Sequence, residues 1–457
     1  MALPPEIRHI VVLMLENQSF DRLLGFVRLD DPSQPIDGLS GDETQPVVPE
    51  DPTRAMRLPR GLDAALYVTD PNPGHQFEDI AMQVFGRERV PDPPTPTMDG
   101  FLANYARQAD SDGKPIGTER AAAGLGGLDP SLVPVISTLA RSFVVCDRWF
   151  SSVPGPTWPN RFFVHAATSN GYVDSPTDLQ QLAGFLGRRF RLRTIFENLM
   201  AAGHTWTVYF GDHAQAFGIS SLHRYADVNF RRLETFAADV AADALPSYAF
   251  LEPPYMDAPG NPAADQHPPH HLLDGERLIA QVYDTLRGTE AVWRKSLLVL
   301  LYDEHGGFFD HVPPPAAIPP DQTSATSERF KFDRLGVRVP ALLISPWARK
   351  GWVDHRVYDH TSLLATVKTV FGLPEFLTRR DAQANILSDA DFLSAPRPLD
   401  DTPANLGRLV PDHVTRPPRT GALSDLQQSL LALRAALRTA GSGGARASAT
   451  SEESQAP

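Results

Sequence analysis

An α/β fold on a largely parallel central sheet flanked by helices is what this sequence predicts, on three observations. Residues 7–15 (IRHIVVLML), 296–302 (SLLVLLY) and 339–345 are short runs that are apolar on both faces, as strands covered on both sides by helices must be. Segments of helical periodicity separate them along the chain. Two of the runs stop abruptly at paired polar residues, Glu16-Asn17 and Asp303-Glu304.

The elements come in this order. The strand at 7–15 leads into a helix over 20–27, for which Ser19 or Asn17 supplies the cap. Residues 30–95 are rich in Pro, Asp and Gly and read as covering loops. A helix over 132–140 precedes a strand at 143–145. The segment 150–161 (FSSVPGPTWPNR) reads as irregular, with a helix over 162–168 after it. Then come a helix over 194–202, strands at 205–210 and 248–251, a helix over 272–286 and the strand at 296–302. The strand at 339–345 and a helix over 361–371 complete this part. The chain divides into a main domain over 1–400, with partly loop-rich insertions at 30–130 and 210–270, a C-terminal extension over 401–440 with an amphipathic helix from 424, and a polar, low-complexity tail over 441–457 that reads as disordered.

Composition narrows the function. The 457 residues carry a formal charge of −13, which argues against nucleic acid as a partner, since that affinity comes from Lys and Arg on phosphates. One cysteine, Cys146, excludes an intrachain disulfide framework and a multi-cysteine zinc site. No run approaches the ~20 apolar residues of a transmembrane segment. No secretory leader is legible at the N-terminus, so the chain as given reads as cytoplasmic, or as secreted or periplasmic if a leader was removed.

In open α/β sheets, ligands gather beyond the carboxyl ends of the strands. Alone, Glu16-Asn17 would serve as a strand end and helix cap, and Asp303-Glu304-His305-Gly306-Gly307 as a charged turn with glycine hinges. Occurring at equivalent points of a βα pattern, they favour a shared divalent cation, for which an oxygen-rich set is the natural cage. Between them Thr157 stands on a Pro/Gly-rigid turn before a helix, whose N-terminus attracts a phosphate or an oxyanion. Asn160 and Arg161 could add donors to such a ligand. Of 14 histidines, His9, His204 and His213 read as structural. His75, His305, His360 and the cluster His267, His270 and His271 sit in polar loops or at element ends. The prolines of that cluster forbid the one-faced helix of a zinc-protease motif.

The string ENQSFD at 16–21, with PNPGHQFED, GPTWPNR, YDEHGGFFDHV and DHTSLLATV after it in order, resembles the bacterial phospholipase C / acid phosphatase phosphoesterase family. The likeness runs from the first strand to about residue 372. It implies a core similar to alkaline phosphatases and sulfatases, with a divalent metal cation held by Glu16, Asn17, Thr157, Asp303 and Glu304. It also implies that Thr157 is the nucleophile, with His75, His267, His305 and His360 around the phosphate. Asn160, His270 and His271 are implied as further substrate contacts.

The expected reaction is hydrolysis of a phospholipid or a small phosphate ester through a phosphothreonine, with His267 or His360 protonating the leaving alcohol. A phosphatidylcholine-like lipid would give diacylglycerol and a phosphorylated head group, with transient contact at a membrane surface. The rivals are an acid phosphatase acting on monoesters and a non-catalytic metal- or lipid-binding protein. A quaternary ammonium head group would favour an aromatic cage, for which Tyr172, Trp206, Tyr209 and Tyr255 are candidates.

Overall fold

The computed structural model describes residues 3–175, 192–412, 423–424 and 426–435. Its strands in chain order are β1 (His9–Leu15), β2 (Thr44–Pro46), β3 (Ala55–Arg57), β4 (Val144–Cys146), β5 (Trp206–Phe210), β6 (Phe230–Arg232), β7 (Tyr248–Glu252), β8 (Ser296–Tyr302), β9 (Ala341–Ile344) and β10 (Trp352–Asp354). Eight of them form one sheet in the order β10-β4-β9-β8-β1-β7-β5-β6, and β2 and β3 pair as a separate antiparallel hairpin. β1 and β8 lie at the centre because their residues from Ile10 to Leu15 and from Ser296 to Tyr302 are all buried. A fully buried Val or Leu side chain stabilises the fold by roughly 1.5–3 kcal/mol, so these two strands anchor the sheet.

The predicted architecture is the observed one. β1 pairs in parallel with both β7 and β8, and β5 with β6 and β7. β9 is the exception, antiparallel to β8 and to β4. That polarity is invisible in an apolar run, which looks the same in either direction. β6 and β10, three residues each, are not read from the sequence, since both mix apolar with charged or half-exposed residues and offer too little periodicity to count.

Two helices differ most from expectation. The helix after β1 covers Phe20–Leu24 only, capped by Ser19, whose Oγ accepts from Arg22 N at 3.1 Å. More important for function, the helix expected from 162 begins at Thr157 and runs to Ala166. Pro156 is its N-cap and Pro159 lies in its first turn, where no intrahelical N–H is required and proline is tolerated. The prolines made a helix start look like an irregular segment.

The 30–130 insertion has more structure than its composition suggests. Helices Phe77–Phe85, Phe101–Tyr105 and Gly117–Leu125 share a cluster of buried residues that includes Ile80, Val84, Phe101, Leu102 and Leu125. At the C-terminus, 426–435 is helical and buries Leu426, Leu430 and Leu433 in the main core. Thus the described part of the extension belongs to the same folded body. The tail at 441–457 lies outside the described residues, as do 436–440. No helix of the described residues is long and apolar enough to cross a membrane.

Candidate active site

Strand register builds the first half of the site. Leu15 pairs with Tyr302 as β1 and β8 end, so the next residues, Glu16-Asn17 and Asp303-Glu304, emerge side by side. Asn17 N donates to Asp303 Oδ1 at 3.1 Å, and Glu304 N donates to the same oxygen at 2.7 Å. Glu304 Oε2 accepts from Gly306 N at 2.6 Å. Asn17 has φ 54° and Gly306 φ 64°, left-handed conformations that Asn tolerates and Gly adopts freely. At Gly306 a Cβ would stand 2.3 Å from Asn17 O, so only glycine lets the two turns touch.

The Thr157–Ala166 helix brings the second half. Thr157 Oγ1 donates towards Glu16 Oε2 at 3.0 Å and lies 3.3 Å from Asn17 Oδ1. Its hydroxyl therefore meets the oxygens that end β1, at the first position of a helix whose N-terminus carries partial positive charge. Asn160, expected to touch substrate, braces the preceding turn instead. Its Oδ1 accepts from Val153 N at 3.1 Å and its Nδ2 donates to Gly155 O at 2.8 Å, with Val153 O and Pro156 O at 3.2 Å. The amide is fully committed and acts by fixing Thr157.

Three buried carboxylates now share one place: Glu16, Asp303 and Glu304. Their cationic neighbour is Arg161, one helical turn past Thr157, with Nη2 2.6 Å from Glu16 Oε1 and Nε 3.9 Å from Asp303 Oδ2. One guanidinium does not balance this charge. The Glu16 carboxyl is pushed well up, first by burial and then by the Asp303 charge, against the pull of Arg161. Asp303 Oδ2 and Glu304 Oε1 are buried and accept no hydrogen bond among the described residues. Oxygens left so are what a hard divalent cation would coordinate, and the donors Glu16, Asn17, Thr157, Asp303 and Glu304 fit one.

A second acidic group is different. Ligand atoms of Asp21, Asp310 and His311 lie within 4.8 Å of one another, but Arg338 sits among them, 2.9 Å from Asp21 Oδ1 and 2.8 Å from Asp310 Oδ1. A guanidinium already supplies the positive charge there, and we read this group as structural.

The histidines divide by what their ring nitrogens hold. His75 Nδ1 lies 3.1 Å from Pro73 O and His267 Nδ1 2.6 Å from Pro268 O. A carbonyl can only accept, so both rings carry hydrogen on Nδ1, and Nε2 is the basic nitrogen. The two rings meet edge to face with centroids 5.5 Å apart. His360 is tied at both nitrogens: Trp149 Nε1 donates to Nδ1 at 3.4 Å and Nε2 donates to Asp303 O at 2.6 Å. Burial lowers its pKa. In this arrangement it holds the Asp303 backbone through Nε2, whereas His267 meets its backbone carbonyl through Nδ1. His305 Nε2 bonds Gln83 Oε1 at 2.9 Å, which places its Nδ1 3.3 Å from Glu304 Oε2, beside a metal-ligand candidate.

The two remaining cluster members are also committed elsewhere. His270 Nδ1 bonds Asp265 Oδ1 at 2.6 Å and its Nε2 faces Gln427 Nε2 at 3.0 Å. His271 caps the Leu272–Gly288 helix by accepting from Leu273 N at 3.3 Å, its ring against Tyr67. Each imidazole, expected to contact substrate, is thus engaged by protein.

Comparison with known proteins decides the family. The model of the phosphoesterase family matches residues 7–374. This chain belongs to the phosphoesterase family. It is similar to non-specific phospholipase C6 of Arabidopsis thaliana, 38% identical with 94% of this chain and 81% of the relative covered. Phospholipase C B of Mycobacterium tuberculosis is 29% identical over 93% of this chain and 82% of the relative. Among solved structures, an alkaline phosphatase superfamily protein from Vibrio parahaemolyticus aligns at 12% identity and a TM-score of 0.33, covering 55% of this chain and 64% of that one. The lipoteichoic acid synthase LtaP from Listeria monocytogenes aligns at 13% identity and a TM-score of 0.33, covering 68% and 85%.

Two of the cage candidates of this phosphoesterase lie apart from the carboxylates. Trp206 packs in the core against Phe196, and Tyr209 donates to Asp239 Oδ2 at 2.6 Å. Tyr255, with its ring 5.9 Å from the Arg161 guanidinium carbon, is the one that borders the carboxylates. The sequence reading missed four residues that hold the phosphoesterase site: Asp265, Gln83, Trp149 and Gln427. Asp265 was visible as a carboxylate two positions before His267. The other three carry no local signal, since their partners are distant in sequence.

Proposed function

We propose that this phosphoesterase hydrolyses phosphate diesters of the phosphatidylcholine type through a phosphothreonine at Thr157, releasing diacylglycerol and a phosphorylated head group. The observation that carries the reading is the Thr157 hydroxyl set 3.0 Å from Glu16 Oε2 and 3.3 Å from Asn17 Oδ1, at a helix N-terminus. The relatives named phospholipase C support the choice of a diester.

When bound, a divalent cation would lower the pKa of that hydroxyl and offset negative charge on a phosphoryl oxygen. Thr157 Oγ1 attacks phosphorus in line with the leaving oxygen, and its hydrogen passes towards Glu16 Oε2, which already accepts it. The N–H groups of Thr157 and Trp158 open the helix, Pro159 having none, and favour the phosphate at this end. His267 enters the step as the imidazolium: as the bond to the diacylglycerol oxygen breaks, it delivers the Nε2 proton to that oxygen, with Nδ1–H held by Pro268 O, and is left with Nε2 as a base. A water molecule then attacks phosphorus and the bond to Thr157 Oγ1 breaks. His267 takes the water's proton, and Glu16 Oε2 returns the hydrogen it received to Thr157 Oγ1, which restores the hydroxyl.

Purified protein with added divalent metal should turn over p-nitrophenyl phosphorylcholine at least about tenfold faster than p-nitrophenyl phosphate. A preference for the monoester would replace the lipase reading with an acid phosphatase. No turnover of either ester, with metal bound, would leave a non-catalytic binding protein.

A further inference from the structure

The helix at 426–435 reaches the site through one amide. Gln427 Oε1 accepts from Ser424 N at 3.0 Å, and Gln427 Nε2 donates to Tyr255 O at 2.9 Å. An N–H on one side and a carbonyl on the other fix which end of the amide is which. The second hydrogen on Nε2 therefore points at His270 Nε2, 3.0 Å away. That nitrogen has to accept, which places the His270 hydrogen on Nδ1, where Asp265 Oδ1 receives it at 2.6 Å.

Asp265 in turn is the hinge of the site. Its Oδ1 accepts from His267 N at 3.1 Å, and its backbone carbonyl accepts from Glu16 N at 2.9 Å. A relay thus runs from Gln427 through His270 and Asp265 to both the proposed proton donor and a proposed metal ligand. We infer that Gln427 is a positioning residue for the phosphoesterase reaction, holding His270 neutral in one tautomer so that Asp265 is oriented on His267 and Glu16. The inference deepens the proposed function and rests on it for the role of His267.

The charges around His270 oppose this hold. Burial disfavours the imidazolium, but Asp265, and beyond it Asp257 and Asp212, outweigh burial and raise the His270 pKa. His267 is its other titratable neighbour, with ring centroids 6.3 Å apart. Protonation at Nε2 would set two donors against each other, with the Gln427 amide unable to turn without losing Ser424 N and Tyr255 O.

The test is a histidine NMR titration of the full chain, which needs no substrate and so separates this inference from the proposed activity. The His270 pKa should rise in the order wild type, Gln427→Leu, Gln427→Glu, since the first variant removes the donor and the second adds an acceptor. In the steady state, Gln427→Leu should lower kcat roughly tenfold with KM changed less than about twofold. If Gln427→Leu does not fold, the isosteric Gln427→Glu decides alone against wild type. An identical His270 titration in wild type and Gln427→Glu would overturn the inference.

Discussion

Thr157 Oγ1 and Glu16 Oε2 lie 3.0 Å apart across 141 positions of sequence. Neither residue could be reactive in its own neighbourhood. Glu16 ends a central strand and Thr157 begins a helix, and only the packing of that helix against the strand ends makes a nucleophile beside a carboxylate. The Arg161 guanidinium, on the same helix face, reinforces the arrangement by binding Glu16 from the other side.

Replacing the nucleophile is the most direct check. Thr157→Ala should reduce kcat by more than about a thousandfold, while metal content measured by elemental analysis stays near that of wild type, four donor residues remaining. Thr157→Ser should retain measurable turnover. Wild-type rates in the alanine variant would remove Thr157 from the chemistry.

Arg161 should matter most when no cation is present. Arg161→Met leaves Glu16 and Asp303 buried without their ion-pair partner, and such a loss destabilises by about 3–5 kcal/mol. Urea unfolding of chelator-treated protein measures it. Adding a divalent metal at about 100 times its Kd should restore about 2.7 kcal/mol. A variant as stable as wild type in chelator would mean that the carboxylates are not charged there.

Much of this was legible in the sequence, for a physical reason. Apolar runs that end in paired oxygen donors declare both a strand and its functional end, so Glu16, Asn17, Asp303 and Glu304 were legible as the polar pairs just beyond β1 and β8. The helix start at Thr157 was hidden because prolines at the N-cap and in the first turn mimic an irregular loop. The fates of His305 and His360 were hidden differently. Which ring nitrogen is engaged depends on Gln83 and Trp149, 222 and 211 positions away, and no local pattern encodes such pairings.

Glycine substitutions separate steric contact from backbone strain. Gly306 and Gly260 both have positive φ, at 64° and 75°. A Cβ at Gly260 meets nothing within 4 Å, whereas at Gly306 it meets Asn17 O at 2.3 Å. Gly260→Ala should therefore lower stability by about 1 kcal/mol, and Gly306→Ala by roughly 3 kcal/mol with loss of metal binding. Equal effects of the two in thermal unfolding would contradict the close approach.

The Arg338 cluster makes stability depend on alkaline pH. Burial opposes the charge on His311, but the hydrogen bond and charge of Asp21, with Asp310 behind, raise its pKa from 6.5 to about 9. A group whose folded pKa is raised contributes stability in full below its unfolded pKa, and that contribution fades as pH climbs through the folded one. The urea midpoint should fall between pH 7 and 9.5 more steeply in wild type than in His311→Asn. Parallel curves would assign the cluster no share in this dependence.

The pairing of Leu15 with Tyr302 acts as a gauge for the site. Because both polar doublets begin at the next residue, the spacing of their oxygens is inherited from the interstrand ladder and owes nothing to the long excursions between. Insertions of any length into the connecting loops should leave that spacing untouched. Deleting one residue inside β1 would shift Glu16 and Asn17 by a step, turn each to the opposite side of the sheet, and dismantle the site while the sheet itself remained.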